Sequence, residues 1–331
     1  MAREITAGTR TIPRVEERQV KIVSLRRIVV QRFFRHRLAV SGLIVVAFML
    51  LFAFVGPLLA PYTPDQVNLR ERFARPSVVM VQGGAGVPHL YNLDAIQGAT
   101  AERPLKFGHP LGTDDLGRDT MSRAMYGGRV SLGIGFLVAF VSVLSDMTLG
   151  AISGYLGGWW DNILMRLNDV ENSLPDLPIL MMLPKIFPPG FWTMCLILIS
   201  LSAFRGMRIS RAMTLTLKAQ LFSEAARSLG AGWSRLIFRH FVSNMLSPRF
   251  VTVTLAAGGA IRAETSLSYL GLGIQPPMPS WGNMLSNAQK YFFSAPWLVF
   301  FPGICIFVTL MSFNLIGDGL RDAFDPRMTR R

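Results

Sequence analysis

Apolar residues in this chain gather into long blocks instead of alternating with polar ones. A bilayer core of about 30 Å needs about 20 helical residues. Six blocks meet that length, at 38–60, 129–153, 164–187, 190–209, 249–272 and 297–318. The first, LAVSGLIVVAFMLLFAFVGPLLA, ends at Pro57 and Pro61. The third is interrupted by Pro175, Pro178 and Pro184 and carries Asp176. The fifth is rich in Ala, Gly and Ser and holds Arg262 and Glu264. Prolines and small residues are tolerated in membrane helices where neighbouring helices re-satisfy or approach the backbone. The third and fifth blocks are therefore predicted to pack among other helices instead of facing lipid. The pattern predicts an all-α polytopic membrane protein with six transmembrane helices.

Composition agrees. Half of the 331 residues are apolar, 16% are charged and the mean hydropathy is +0.37; a soluble domain carries about 25% charged residues. The net charge of +14 is concentrated beside the apolar blocks, at Arg26, Arg27, Arg32, Arg35 and Arg37, between Arg205 and Arg249, and at Arg327, Arg330 and Arg331. That is the placement of the positive-inside rule. Zinc-finger, helix-turn-helix and RRM-type patterns are missing, so the basic balance points to membrane topology and lipid, not to nucleic acid.

The loops then set orientation. The arm 1–37 holds ten Arg/Lys against three acids and is expected in the cytoplasm. Six spans return the tail 321–331 to the same side and place the basic segment 210–248 there too. The 61–128 loop falls outside, with its charges roughly balanced, and so does 273–296, whose one basic residue is Lys290. The 61–128 loop, with Gly83, Gly84, Gly86 and Pro88, is too long for a turn and is expected to pack on the membrane domain or to meet an external partner. The span boundaries divide the chain into the arm 1–37, the first helix 38–60, the external loop 61–128, a five-helix core 129–320 and the tail. A cleavable leader is not expected, because a long basic arm precedes the first apolar block.

Candidate chemistry is sparse. Cys195 and Cys305 lie inside apolar blocks and read as small buried residues. His36, His89, His109 and His240 are scattered over both sides and make no zinc site. The run Asp114, Asp115, Asp119 offers oxygen ligands for a hard cation; a capped turn, with Thr113 or Asp114 starting a helix into the second span, accounts for it without metal. Charges inside spans are costly and are functional or paired. These are Asp146, Asp176, Arg262 and Glu264. Glu264 and Asp176 are candidates for the translocation path or its gate, or for hydrogen bonds between helices; Arg262 is expected to pair with a carboxylate. The chain has no G-x-x-x-x-G-K-[ST] loop, nucleophile elbow or dinucleotide fingerprint. Any ATP used must therefore be hydrolysed by another chain.

The segment 218–248 carries the sharpest signal. Glu224-Ala225-Ala226 and Leu229 suit a short helix, Gly230 and Gly232 break it, and Trp233, Leu236, Ile237 and His240 resume a helical period. A small-residue helix followed by a glycine break could lie in a partner's groove and transmit its motion. An amphipathic loop on anionic headgroups is the alternative.

Glu224-Ala225-Ala226, three residues, then Gly230 resembles the EAA signature of the membrane subunits of bacterial ATP-binding-cassette importers. The usual closing Leu-Pro falls at Val242-Ser243, so the proline is replaced. Further motifs resemble the dipeptide/oligopeptide/nickel permeases. These are His109-Pro110-Leu111-Gly112-Thr113-Asp114-Asp115-Leu116-Gly117-Arg118-Asp119, Gly154 to Trp159, Glu264 to Gly273 with Pro279-Ser280-Trp281-Gly282, and Phe313 to Asp322 with Asp325-Pro326. They cover about residues 30–327 and most resemble the C-type permease of the pair.

The resemblance implies a type I ABC importer permease fold and a non-catalytic subunit in a bacterial inner membrane. Its partners would be a homologous second permease, two ATPase subunits that bind ATP and Mg, and an extracytoplasmic solute-binding protein. No cofactor is expected on this chain. Glu224, Ala225, Ala226 and Gly230 would couple to the ATPases. The implied substrates are short peptides, with nickel chelates, opines and related solutes sharing the same motifs. A secondary transporter would be expected to show inverted repeats, and no internal repeat is apparent. An intramembrane enzyme would need Glu264 and Asp176 as a pair, yet they lie in different spans. An exporter of the same fold would lack a cognate binding protein.

Overall fold

The computed structural model describes residues 25–81 and 105–324. Most of the basic arm, the loop centre with His89, and the tail with Arg327, Arg330 and Arg331 lie outside these residues. The described chain is helical apart from one short hairpin, in which β1 (Val79–Val81) pairs antiparallel with β2 (Leu105–Phe107), Val79 opposite Phe107.

Helix α1 (Leu25–Arg35) ends at His36, whose Nδ1 accepts from the Ala39 N–H at 3.1 Å and so caps α2 (Arg37–Phe54). A short α3 (Gly56–Leu59) closes the first block at Pro57. The central element is α4 (Thr120–Leu156), 37 residues long. It begins nine residues before the expected 129, because Asp119 supplies the cap: its carboxylate accepts from the Ser122 N–H at 2.7 Å and the Ser122 hydroxyl at 2.8 Å. The cap is thus Asp119, not Thr113 or Asp114.

The third and fourth blocks are each split. The third forms α5 (Gly158–Ser173) and α6 (Asp176–Ile186), separated where Leu174 is extended ahead of Pro175. Proline disfavours helical backbone in the residue before it, which ends α5 there. The fourth forms the ten-residue α7 (Phe191–Ser200), a turn, and α8 (Met207–Lys218). The cytoplasmic loop segment 210–248, expected to hold a short helix, a glycine break and a resumed helix, has that order and is largely helical throughout. It holds the end of α8, α9 (Leu221–Ser228), a turn at Trp233–Arg235, a π-helical stretch Leu236–Phe241 and the start of α10 (Val242–Tyr269). Then follow α11 (Trp281–Ala288) and α12 (Trp297–Phe324).

Among the described residues, three helices, α2, α4 and α12, are long and apolar enough to cross a membrane. α10 has the length, but Arg249, Arg262 and Glu264 interrupt its apolar run. Three packed clusters surround α4. One joins α2, α4, α10 and α12 through Ala39, Leu132, Ile261 and Phe313. A second joins α4 to α6 and α7 through Ile134, Leu180 and Cys195. A third, at the other end of α4, packs Met147 and Ala151 with Leu236, Ile237 and Phe241. α4 achieves this density through small residues: a Cβ on Gly135 would stand 2.4 Å from Ile261 Cγ1, and one on Gly150 would stand 2.5 Å from Ser210 Cβ.

Candidate functional site

The short helix α9 carries the Glu224-Ala225-Ala226 signature. Its inner face is Phe222, Ser223 and Ala226; Phe222 and Ala226 pack on the cluster of Leu236, Ile237 and Phe241. Its outer face is Leu221, Glu224, Ala225, Ser228 and Leu229, the i, i+3, i+4, i+7 and i+8 positions of one stripe. Leu221 is 84% exposed and Leu229 88%. These two leucines, exposed at either end of a small-residue helix, belong to no core of this chain.

Gly230 ends this helix. Its φ is +81°, a conformation that strongly favours glycine. The Gly230 N–H bonds to Arg227 O at 2.9 Å and the Ala231 N–H to Ala226 O at 3.0 Å, which is the Schellman pairing. The predicted glycine break is therefore a C-cap. Arg227 Nη2 donates to Lys218 O at 3.2 Å, and Lys218 Nζ donates to Tyr155 O at 2.8 Å, tying α9 through α8 to the end of α4. Beyond the cap, Ser243 occupies the position of the missing proline. The helix runs unbroken through it, and Ser243 Oγ donates to Phe238 O at 3.4 Å. The π-helical stretch lies just before it; such stretches are rare and concentrate at functional sites.

Charge pairs brace α8. Arg211 donates two bonds of 2.6 Å to the two Asp161 oxygens, and Ser153 Oγ adds a third. The Arg211 hydrogen bonds hold the Asp161 carboxyl below its ordinary range. Asp146 on α4 accepts from Arg249 Nη2 on α10 with both oxygens and from Ser210 Oγ on α8 at 2.9 Å. Arg249 is thus the partner that sequence reasoning missed; opposite charges on two spans are the signal that could have found it. Arg262, expected to pair with a carboxylate, has no hydrogen bond or ion pair among the described residues.

Glu264 is fully buried between α4 and α10. Its carboxylate accepts from Ser131 Oγ at 2.9 Å and from Ser268 Oγ at 2.7 Å. Ser268 Oγ in turn accepts the Ile274 N–H at 3.0 Å, and Ser131 Oγ accepts the Trp281 N–H at 3.3 Å. Trp281 Nε1 donates to Ala124 O at 2.9 Å, and Ser280 and Asn283 form a capping box on α11. Glu264 therefore organises the turn from Gly271 to Ser280 against α4. Asp176, by contrast, is exposed at the start of α6 and paired with Arg205 Nη2 at 2.7 Å. The structure does not bring Glu264 and Asp176 together.

On the opposite end of α4, the Asp-rich motif is a lock. His109 Nδ1 lies 2.8 Å from Asp119 Oδ1, and its Nε2 lies 3.2 Å from Glu71 Oε2; all three side chains are buried. Thr113 Oγ1 donates to Glu71 O and accepts the Ala74 N–H at 2.8 Å. Arg118 Nε donates to Asp114 Oδ2 at 2.7 Å. Tyr62 stacks on His109 with ring centres 4.4 Å apart; burial first, then Glu71 and Asp119, raises its hydroxyl pKa. The motif carboxylates are thus directed at side chains and backbone. No group of three or more His, Cys, Asp or Glu able to hold a metal occurs among the described residues.

This arrangement coincides with what the chain resembles. Residues 146–330, which hold α5 to α12, match the family of binding-protein-dependent transport system inner membrane components. Residues 24–76 match the N-terminal transmembrane domain of oligopeptide transport permease C. The dipeptide transport system permease protein DppC of Alkalihalophilus pseudofirmus is 35% identical over 89% of this chain and 87% of its own. The oligopeptide transport system permease protein OppC of Bacillus subtilis is 35% identical over 94% and 92%. That of Haemophilus influenzae is 36% identical over 95% and 92%. The chain belongs to the binding-protein-dependent inner-membrane permeases, in the branch of the dipeptide and oligopeptide C-type subunits.

Proposed function

We propose that this chain forms half of the translocation path of an ATP-driven importer of short peptides, without catalysis of its own. Six crossings are formed by α2, α4, α5 with α6, α7 with α8, α10, and α12, with both termini in the cytoplasm. A homologous second permease completes the path. Two ATPase subunits bind ATP and Mg, and an extracytoplasmic binding protein delivers the solute. The peptide assignment is supported by the similarity to permeases of dipeptide and oligopeptide transport systems.

One observation carries the coupling assignment: α9 turns Leu221, Glu224, Ala225 and Leu229 outward while Phe222 and Ala226 anchor it to the cluster at the end of α4. An ATPase cleft receiving that outer face would move α9, and α9 would move α4 and α10 through packed side chains. Gly230 fixes where the helix stops. Of the candidate path residues, Asp176 is accessible and could meet solute at the cytoplasmic mouth; Glu264 acts on the gate indirectly, by holding the turn 271–280.

Glu224→Lys and Gly230→Pro are expected to abolish uptake of a labelled dipeptide into vesicles while the protein remains in the membrane. Cysteine at Ala225 should cross-link to the ATPase subunit. Normal uptake in both substituted proteins, with no cross-link, would overturn the assignment.

A further inference from the structure

Arg262 lies seven residues before the end of α10, about 10 Å along the helix at 1.5 Å per residue. It is exposed, and no acceptor among the described residues meets it. The residues around it explain the exposure. Ile261 and Glu264 turn inward and are fully buried, so Arg262 occupies the outer stripe with Leu255, Ser266 and Tyr269. Gly259, one turn below, has open space where a side chain would be.

A cation left within a span costs several kcal/mol unless water or an anion meets it. No carboxylate among the described residues does. Glu264 is committed to two serines, Asp146 to Arg249 and Asp176 to Arg205. Asp318 lies towards the far end of α12, near the cytoplasmic end of the bundle. Water, or an anion from beyond the described residues, is left to meet the guanidinium.

One turn above Arg262, the same stripe opens on a cavity of about 580 Å³ lined by Thr265, Ser266, Tyr269, Leu270, Gln289 and Phe292, among others. Two hydroxyl side chains, a phenol and an amide in a mainly apolar wall suit a small amphipathic solute better than lipid. Guanidinium below and hydroxyls and amide above would hold a carboxylate by charge-assisted, forked hydrogen bonds.

Building on the proposed import of peptides, we infer that Arg262 is an anion subsite in the translocation path and takes the carboxylate of the solute as it leaves the cavity. It is a specificity-determining residue: it selects for solutes with a free carboxylate and against those whose carboxyl is blocked.

The test uses the complete complex in liposomes, with tri-alanine or tri-alanine amide supplied at concentrations that saturate the binding protein. Arg262→Gln is expected to lower tri-alanine uptake about tenfold or more, the worth of one charge-assisted hydrogen bond, and to leave amide uptake within about twofold. Arg262→Lys should recover most of the tri-alanine uptake. Equal loss of both solutes, or loss of the co-purifying second permease, would assign the anion to that subunit and overturn the inference. Unchanged uptake of both would send the guanidinium to lipid headgroups and overturn it too. If the unsubstituted complex takes neither solute, peptide import itself fails and the subsite with it; charge-blind import by the unsubstituted and substituted complexes alike refutes the subsite alone.

Discussion

Removing Arg249 tests whether one buried ion pair holds α4 to α8 and α10. The Arg249 and Asp146 side chains are 5% and 4% exposed. Arg249 Nη2 serves both carboxylate oxygens and Ser210 Oγ adds a bond of 2.9 Å, while Arg249 Nε has no acceptor. Breaking such a pair from one side leaves a buried charge unmet and costs about 3–5 kcal/mol, whereas replacing both partners with apolar groups is often close to neutral. Arg249→Met should therefore lose about 3–5 kcal/mol, and Asp146→Leu with Arg249→Met should recover most of it, less about 1 kcal/mol for the Ser210 hydroxyl left without its acceptor. SDS titration of the purified protein in mixed micelles, read by tryptophan fluorescence, supplies the four corners of the cycle. A doubly substituted protein as unstable as the sum of the two single losses would refute the reasoning. So would a single loss below about 1 kcal/mol.

Gly230→Val puts a β-branched residue at φ +81°, and with open space around the position the cost is backbone strain of about 1–2 kcal/mol; hydrogen exchange at Leu229 and Ala231 should rise while the membrane bundle stays protected. Glu264→Ala removes the acceptor of Ser131 and Ser268 and should cost about 1–3 kcal/mol, with new proteolytic cutting between Gly271 and Ser280 as the readout. Gly117→Ala would place a Cβ 1.9 Å from Asn68 O, a backbone atom that cannot swing aside, so the amount of folded protein in the membrane should fall sharply. The Asp161 carboxyl is held low by Arg211, so its contribution is complete above the unfolded value of about 3.9 and is lost as pH falls through the folded one. Asp161→Asn should therefore flatten the acid side of the stability profile, measured by thermal unfolding from about pH 5 downward to about pH 2.

The helices that an apolar run alone defines were readable in the sequence: α2 and α12 stand close to their expected bounds. α4 was readable only in its middle. Its first turns, Thr120 to Gly128, mix Met121, Met125 and Tyr126 with polar residues and glycines, so no apolar run marks them, and their start is set by the Asp119 cap, whose geometry no pattern displays. Pro175 was visible, but hydropathy averages across it, so α5 and α6 merged into one expected span. The short helix at Glu224-Ala225-Ala226 and its end at Gly230 were legible because the signature is local. The links that place them are not local. Asp146 meets Arg249 across 103 residues, and Ser131 meets Glu264 across 133. His109 meets Glu71 across 38, and nothing in the spacing of the motif points to that carboxylate.

The length of α4 has a mechanical result. At 1.5 Å per residue its 37 residues span about 55 Å, against a hydrocarbon layer of about 30 Å. One end is fastened by the His109 lock and the other by the Asp161–Arg211 brace near α9. For a rigid rod of this length, a tilt of about 10° about its middle would swing each end by about 5 Å in opposite directions. The end of α4 beside the external loop and the end beside α9 therefore cannot move independently: under the proposed function, a displacement that α9 passes to α4 through its packed side chains reaches the other end within that single helix.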